Sequence, residues 1–131
     1  MSIWTHVNGC LRLDGIPTLM DCSEKAVRKI LGNTCKFDDK EEVWDNCTVP
    51  KGSEGSIQYS LVRAGNGLVV WTIPIWGDLR DFRHEDVHEI VKWFGRITKT
   101  KDMMIRSFIL EVQTEGHKPK ILKYKQPREV N

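Results

Sequence analysis

Along the first fourteen positions, Ile3, Thr5, Val7, Leu11 and Leu13 alternate with Trp4, His6, Asn8, Cys10, Arg12 and Asp14. A two-residue period of this kind describes a long strand with one apolar and one mixed face. Gly9 interrupts the apolar series and reads as a bulge or a close backbone approach, and Gly15 and Pro17 end the strand. Asp21 followed three residues later by Glu24 has capping-box form, and Ala26, Val27, Ile30 and Leu31 supply a short helical stripe that stops at Gly32. Between residues 33 and 55 periodicity is lost, with Phe37, Val43 and Trp44 as the large apolar residues. An irregular stretch of that length is uncommon inside a compact domain.

Residues 56–63 and 68–75 are β-prone and separated by Ala64-Gly65-Asn66-Gly67, so they are expected to form a hairpin. Pro74 cannot donate to a ladder and Gly77 follows, which places the expected end of the second arm near Ile75 or Trp76. Val87, Ile90, Val91, Phe94 and Ile97 fall on one helical stripe, the clearest pattern in the chain. Residues 103–114 form another β-prone run, and after Glu115-Gly116 a shorter edge strand is expected over 119–125.

The resulting order, β-α-β-β-α-β-β, predicts an α+β domain of ferredoxin-like type with an additional C-terminal strand. In that arrangement an antiparallel sheet carries both helices on one face. Strand one and the strand containing Trp71 are expected to be central neighbours. Ile3, Val7, Leu11 and Leu13 should lie under the helices, and Trp4, His6, Asn8 and Arg12 on the bare side. With 131 residues the chain suits a single domain, 1–131, with one core.

Charge changes this picture little. The net charge of +2 is too small to argue by itself for nucleic acid or an anionic membrane. Its distribution is uneven: Asp38, Asp39, Glu41, Glu42 and Asp45 crowd the loop 33–55, while Lys118, Lys120, Lys123, Lys125 and Arg128 make the tail 118–131 basic. Runs of this sort are usually solvated surface. No stretch approaches the roughly 18 apolar residues of a membrane span, and the chain opens without an apolar signal core, so a cytoplasmic setting is expected. Cys10, Cys22, Cys35 and Cys47 include no C-x-x-C pair, and in a cytoplasm reduced thiols are the expectation. Export would instead permit two disulfides and make Asn46-Cys47-Thr48 a glycosylation acceptor.

Three groups of residues carry candidate chemistry. The bare sheet face offers Trp4, His6, Arg12 and Trp71, a composition suited to stacking sites and interface anchors, with packing of the two tryptophans under the acidic loop as the plainer alternative. The segment 76–83 offers Trp76, Arg80 and Arg83 ahead of a helix N-terminus, where an anion would be favoured; ion pairing with Asp78, Asp81 or Asp86 is the competing reading. His84-Glu85-Asp86-Val87-His88 matches the H-E-x-x-H spacing of zinc helices, with Glu111 or His117 as conceivable third ligands. Its charged Asp86 and solvent-facing His88 argue for an ordinary exposed helix instead. The RNA-recognition motif shares the element order, but its basic and aromatic third-strand signature is replaced by Gly67-Leu68-Val69-Val70-Trp71-Thr72-Ile73. Gly65-Asn66-Gly67 lacks the helix and Lys-Ser or Lys-Thr of a phosphate loop. No nucleophile-base-acid set can be assigned, so an enzyme is not expected.

The opening Trp4-Thr5-His6-Val7-Asn8-Gly9-Cys10-Leu11-Arg12-Leu13-Asp14 resembles the start of small uncharacterised bacteriophage-encoded proteins. That resemblance implies a host cytoplasm and an accessory or anti-defence role, exercised by binding a host protein or sequestering a nucleotide signal. The leading expectation is therefore a non-catalytic binding module. It would be a homo-oligomer holding a host protein or small anionic ligand on the bare sheet face, and would need no cofactor and no metal. A zinc hydrolase using His84, Glu85 and His88 and a single-stranded nucleic-acid adaptor using the basic tail are the alternatives.

Overall fold

The computed structural model describes residues 1–38, 43–45, 47–65 and 68–126. The alternating opening segment forms β1, Trp4–Gly15. Helix α1, Glu24–Leu31, follows. Its cap is Ser23, whose side chain accepts from the Ala26 N–H at 3.2 Å; Asp21, the expected cap, instead accepts from the Ser23 N–H at 3.0 Å. Gly32 ends the helix at φ 99°, donating to the Arg28 carbonyl, a backbone conformation that costs glycine little.

Within the expected loop a small ribbon pairs β2, Lys36–Asp38, with β3, Val43–Asp45. Asn33 fastens its base, since the Asn33 carbonyl accepts from the Thr48 and Val49 N–H groups and its own N–H donates to Thr48 Oγ1 at 2.6 Å. These bonds bring Cys35 and Cys47 to a Cα separation of 4.5 Å, and the two are joined by a disulfide. The expectation of four reduced thiols is thereby corrected: Cys10 and Cys22 alone are free.

The first hairpin arm is two short pieces, β4 (Gln58–Tyr59) and β5 (Val62–Ala64), while the second, β6, runs from Val69 to Arg80. Continuation of β6 beyond Trp76 overturns the expected stop, and the hydrogen bonding explains why. The N–H and C=O of one residue in an antiparallel strand point toward the same neighbour. The Pro74 carbonyl accepts from Ser60, on the outer side, so the missing N–H falls where β4 and β5 are interrupted and the ladder to β1 is untouched. After a short 3-10 turn at His84–Asp86 come α2 (Val87–Thr98), β7 (Met104–Thr114) and β8 (Lys120–Lys123).

The fold is α+β. A six-stranded antiparallel sheet runs β4-β6-β1-β7-β8, with β5 also on β6. Strand β1 lies at its centre, pairing in register from Trp4↔Arg80 to Gly15↔Val69 on one side and from Thr5↔Thr114 on the other, with an irregularity between Arg12 and Leu13. The split first arm and the separate β2-β3 ribbon depart from the ferredoxin-like ladder expected from the element order. Both helices seal one face. Val27, Ile30 and Leu31 of α1 and Val87, Ile90, Trp93, Phe94 and Ile97 of α2 share a single core with Val7, Leu11, Leu13, Trp71, Ile73, Ile75, Phe108, Leu110 and Val112. The Trp93 indole N–H donates to the Leu31 carbonyl at 2.7 Å and ties the helices together. Among the described residues no helix is long and apolar enough to cross a membrane.

Gly9 is the close approach anticipated from its interruption of the apolar series, because a Cβ there would collide with the Ile109 carbonyl and the Leu110 side chain. Gly9→Ala is expected to destabilise the fold by about 1–3 kcal/mol in urea denaturation, the usual effect of overpacking. The disulfide closes a short loop, since its cysteines are 12 residues apart. Reduction, or Cys35→Ser with Cys47→Ser, should lower stability by roughly 2–3 kcal/mol, read as a fall in Tm that a reductant produces in the wild type and not in the double variant.

Candidate functional site: the open sheet face

The face opposite the helices is built by strand parity. On β1 the buried Thr5, Val7, Leu11 and Leu13 force His6, Asn8 and Arg12 to the other side, where they are exposed, with Trp4 and Cys10 half-buried beside them. On β6 the same alternation buries Val69, Trp71, Ile73, Ile75 and Leu79 and turns Thr72, Pro74, Trp76 and Asp78 outward. Register then sets the neighbours: Asp78 lies beside His6, Trp76 beside Asn8, Pro74 beside Cys10 and Thr72 beside Arg12. From β7 come Gln113, Glu111, Ile109 and Ser107 in the same order, and Ile121 of β8 lies next to Glu111.

The middle of this surface mixes apolar side chains with the exposed Asn8, Glu111 and Lys123. Trp76 and Ile109 are each 45% exposed and Ile121 56%, with Pro74 and Cys10 between them. Around it the groups are polar. His6 Nδ1 donates to Asp78 Oδ1 at 2.6 Å, with both side chains largely in solvent. Arg12 has no hydrogen-bond or ion-pair partner among the described residues. At the far end Asp14, although on this side, is only 6% exposed; Arg106 Nε donates to its Oδ2 while Oδ1 has no partner.

Trp4, His6, Arg12 and Trp76 therefore share the open face, and Trp71 does not. Its indole is 3% exposed, on the helix side, and donates to the Cys22 carbonyl at 3.1 Å. Trp71 stands five residues before Trp76, and an odd separation on a regular strand means opposite faces. Arg80 is committed to structure: it donates to Glu54 Oε1 at 3.0 Å and Ser2 Oγ at 2.9 Å, while its backbone groups bond Ser53 and Glu54. Next to it Asp81, at φ 55°, accepts from the Ser53 hydroxyl, which holds its carboxyl below the usual range. Arg83 lies on the turn before α2, where its backbone N–H donates to Asp86 Oδ2. The Arg83 N–H ahead of the helix is thus taken by the chain's own Asp86 carboxylate, and Arg80 by Glu54 and Ser2.

The H-E-x-x-H residues also part company. His84 sits in the 3-10 turn and stacks on His117, ring centroids 4.2 Å apart and nearly parallel, and His88 Nδ1 donates to the Glu85 carbonyl at 2.7 Å. Among the described residues no group of three or more His, Cys, Asp or Glu is placed to hold a metal. Of the basic tail, Lys118 to Gln126 are described, and Arg128 lies outside the described residues, as do Asp39, Glu41, Glu42, Asn66 and Gly67. A groove between Thr48–Pro50 and Glu89, Lys92, Trp93 and Arg96 lies on the helix side and gathers none of the open-face residues.

No family model matches the chain, and no curated protein and no solved structure is similar to it. Sequence patterning overlooked Ile109 and Ile121. Ile109 is hidden in the run Phe108-Ile109-Leu110, where both faces are apolar.

The two free thiols provide a direct check on these faces. Burial pushes the Cys22 thiol up, whereas Cys10 is half-buried on the open side. In dilute solution, where nothing covers the open face, a thiol-specific reagent should modify Cys10 and leave Cys22 unmodified until denaturant is added, as read by peptide mass spectrometry.

Proposed function

We propose that the chain is a non-catalytic docking module whose open sheet face receives a protein surface. The observation carrying this reading is the arrangement of Trp76, Pro74, Cys10, Ile109 and Ile121, exposed or half-buried apolar positions interleaved with Asn8, Glu111 and Lys123 and rimmed by His6-Asp78, Gln113, Thr72 and Arg12. An apolar centre with a polar rim is interface anatomy, and exposed Trp and Arg are the residue types that most often anchor one. A small anionic ligand is favoured by Arg12 and by the Trp4 and Trp76 ring systems, but a flat sheet surface encloses such a ligand poorly. A host protein as partner accords with the resemblance of residues 4–14 to phage proteins. A ferredoxin-like reading of the topology draws support from β1 lying between β6 and β7 with both helices on one face.

The double variant Trp76→Asp, Ile109→Asp alters only exposed positions and should keep its Tm within a few degrees. In an extract of its source cells the wild-type chain is expected to migrate as a complex with Cys10 protected from alkylation, and the double variant as a free chain with Cys10 open. A wild-type chain that migrates free, with fully reactive Cys10, would end this reading.

A further inference from the structure

We infer that a second copy of this chain occupies the open face, two sheets packing face to face about a two-fold axis that crosses the strands along the apolar row. This rests on the docking reading above and names its partner. An isologous interface requires one patch to be its own complement, so charges on one side of the axis must find their opposites on the other. The open face has that property. Its middle consists of two adjacent rows, Trp76-Asn8-Glu111-Ile121 and Pro74-Cys10-Ile109-Lys123, in which Glu111 and Lys123 also fall on opposite sides of the midline and on adjacent strands. The next row beyond the first holds Asp78 and His6, and the next row beyond the second holds Thr72 and Arg12. Asp78 and Arg12 thus stand at equal offsets on opposite sides of the midline, on adjacent strands.

Rotation about that midline lays each strand over its own counterpart, reversed end for end. Arg12 then faces the His6-Asp78 pair of the second copy, and the reciprocal contact forms at the same time. Trp76 falls over Pro74 of the second copy, a ring-on-ring contact in the middle of the patch. Arg12, which has no partner within its own chain among the described residues, gains one. The other arginines of this face are already matched, Arg80 by Glu54 and Arg106 by Asp14, so pairing the copies sets no like charges against each other there.

Size agrees. Eight residues at about 3.3 Å rise on each of β1, β6 and β7, strands about 4.8 Å apart, together with the shorter β4, β5 and β8, project to on the order of 500 Å2, which surface relief brings toward the roughly 800 Å2 per partner of a standard interface. The product would be four layers, helices outside and two sheets about 10 Å apart within.

The test uses the purified full-length chain. Sedimentation equilibrium should give a dimer for the wild type and a monomer for Trp76→Asp. Arg12→Asp and Asp78→Arg should each weaken the dimer about tenfold or more, since each places like charges across the axis twice. Combined in one chain they recreate both pairs in reverse and should restore most of the affinity; circular dichroism confirms folding of every variant. A wild type that stays monomeric at high concentration overturns the inference, and does so without touching the docking reading if the same chain still migrates as a Trp76-dependent complex in extract. A dimer indifferent to Trp76→Asp, or a charge reversal that fails to rescue, also overturns it.

Discussion

The register of β1 between β6 and β7 governs the rest of the molecule. Twelve β1 residues are paired with β6 and ten with β7, and every second one is sealed under α1 and α2. Because the side-chain period of a strand is two, a slip of one residue would exchange the faces, placing His6 and Arg12 against the helices and Val7 and Leu11 in water. Burial of Leu11, Leu13, Ile73, Phe108 and Leu110 at essentially zero exposure makes that exchange prohibitive. Gly9 reinforces the register from the backbone side, since only a residue without Cβ fits against Ile109 and Leu110 at that point. The composition of the open face is thus a consequence of how well the other one is closed.

Most of the element order can be read from periodicity. The stripe of α2 and the alternation in β1 are strong, and both appear in the structure within a residue or two of expectation. Two features were not legible, each for a physical reason. The length of β6 was hidden by Pro74, whose effect depends on which neighbour its missing N–H faces, a property of the sheet and not of the sequence. The β2-β3 ribbon depends on hydrogen bonds from Asn33 to residues 48 and 49, contacts that no local pattern announces. The site was legible in part. His6 and Arg12 follow from parity on β1, but Trp71 was assigned to the open face for its chemistry when its parity with Trp76 already placed the two on opposite sides.

Charged groups near the open face divide into those that hold the fold and those that do not. Arg80 clamps the N-terminal Ser2 and the 53–54 turn against the end of β6, and Arg106 offsets the buried Asp14 carboxylate. Removing either would leave polar groups without partners, a structural loss. Arg12 stands apart: its guanidinium sits exposed in the middle of a strand, where a β-branched residue would suit the sheet better, with no hydrogen-bond or ion-pair partner among the described residues.

The cross-link between Cys35 and Cys47 has a different implication. It gathers the ends of an eleven-residue acidic segment at one point on the body, so that segment is in effect a cyclic peptide mounted on a stem. Because the closure is covalent, the chain enters and leaves this segment at one place whatever residues lie between the two cysteines.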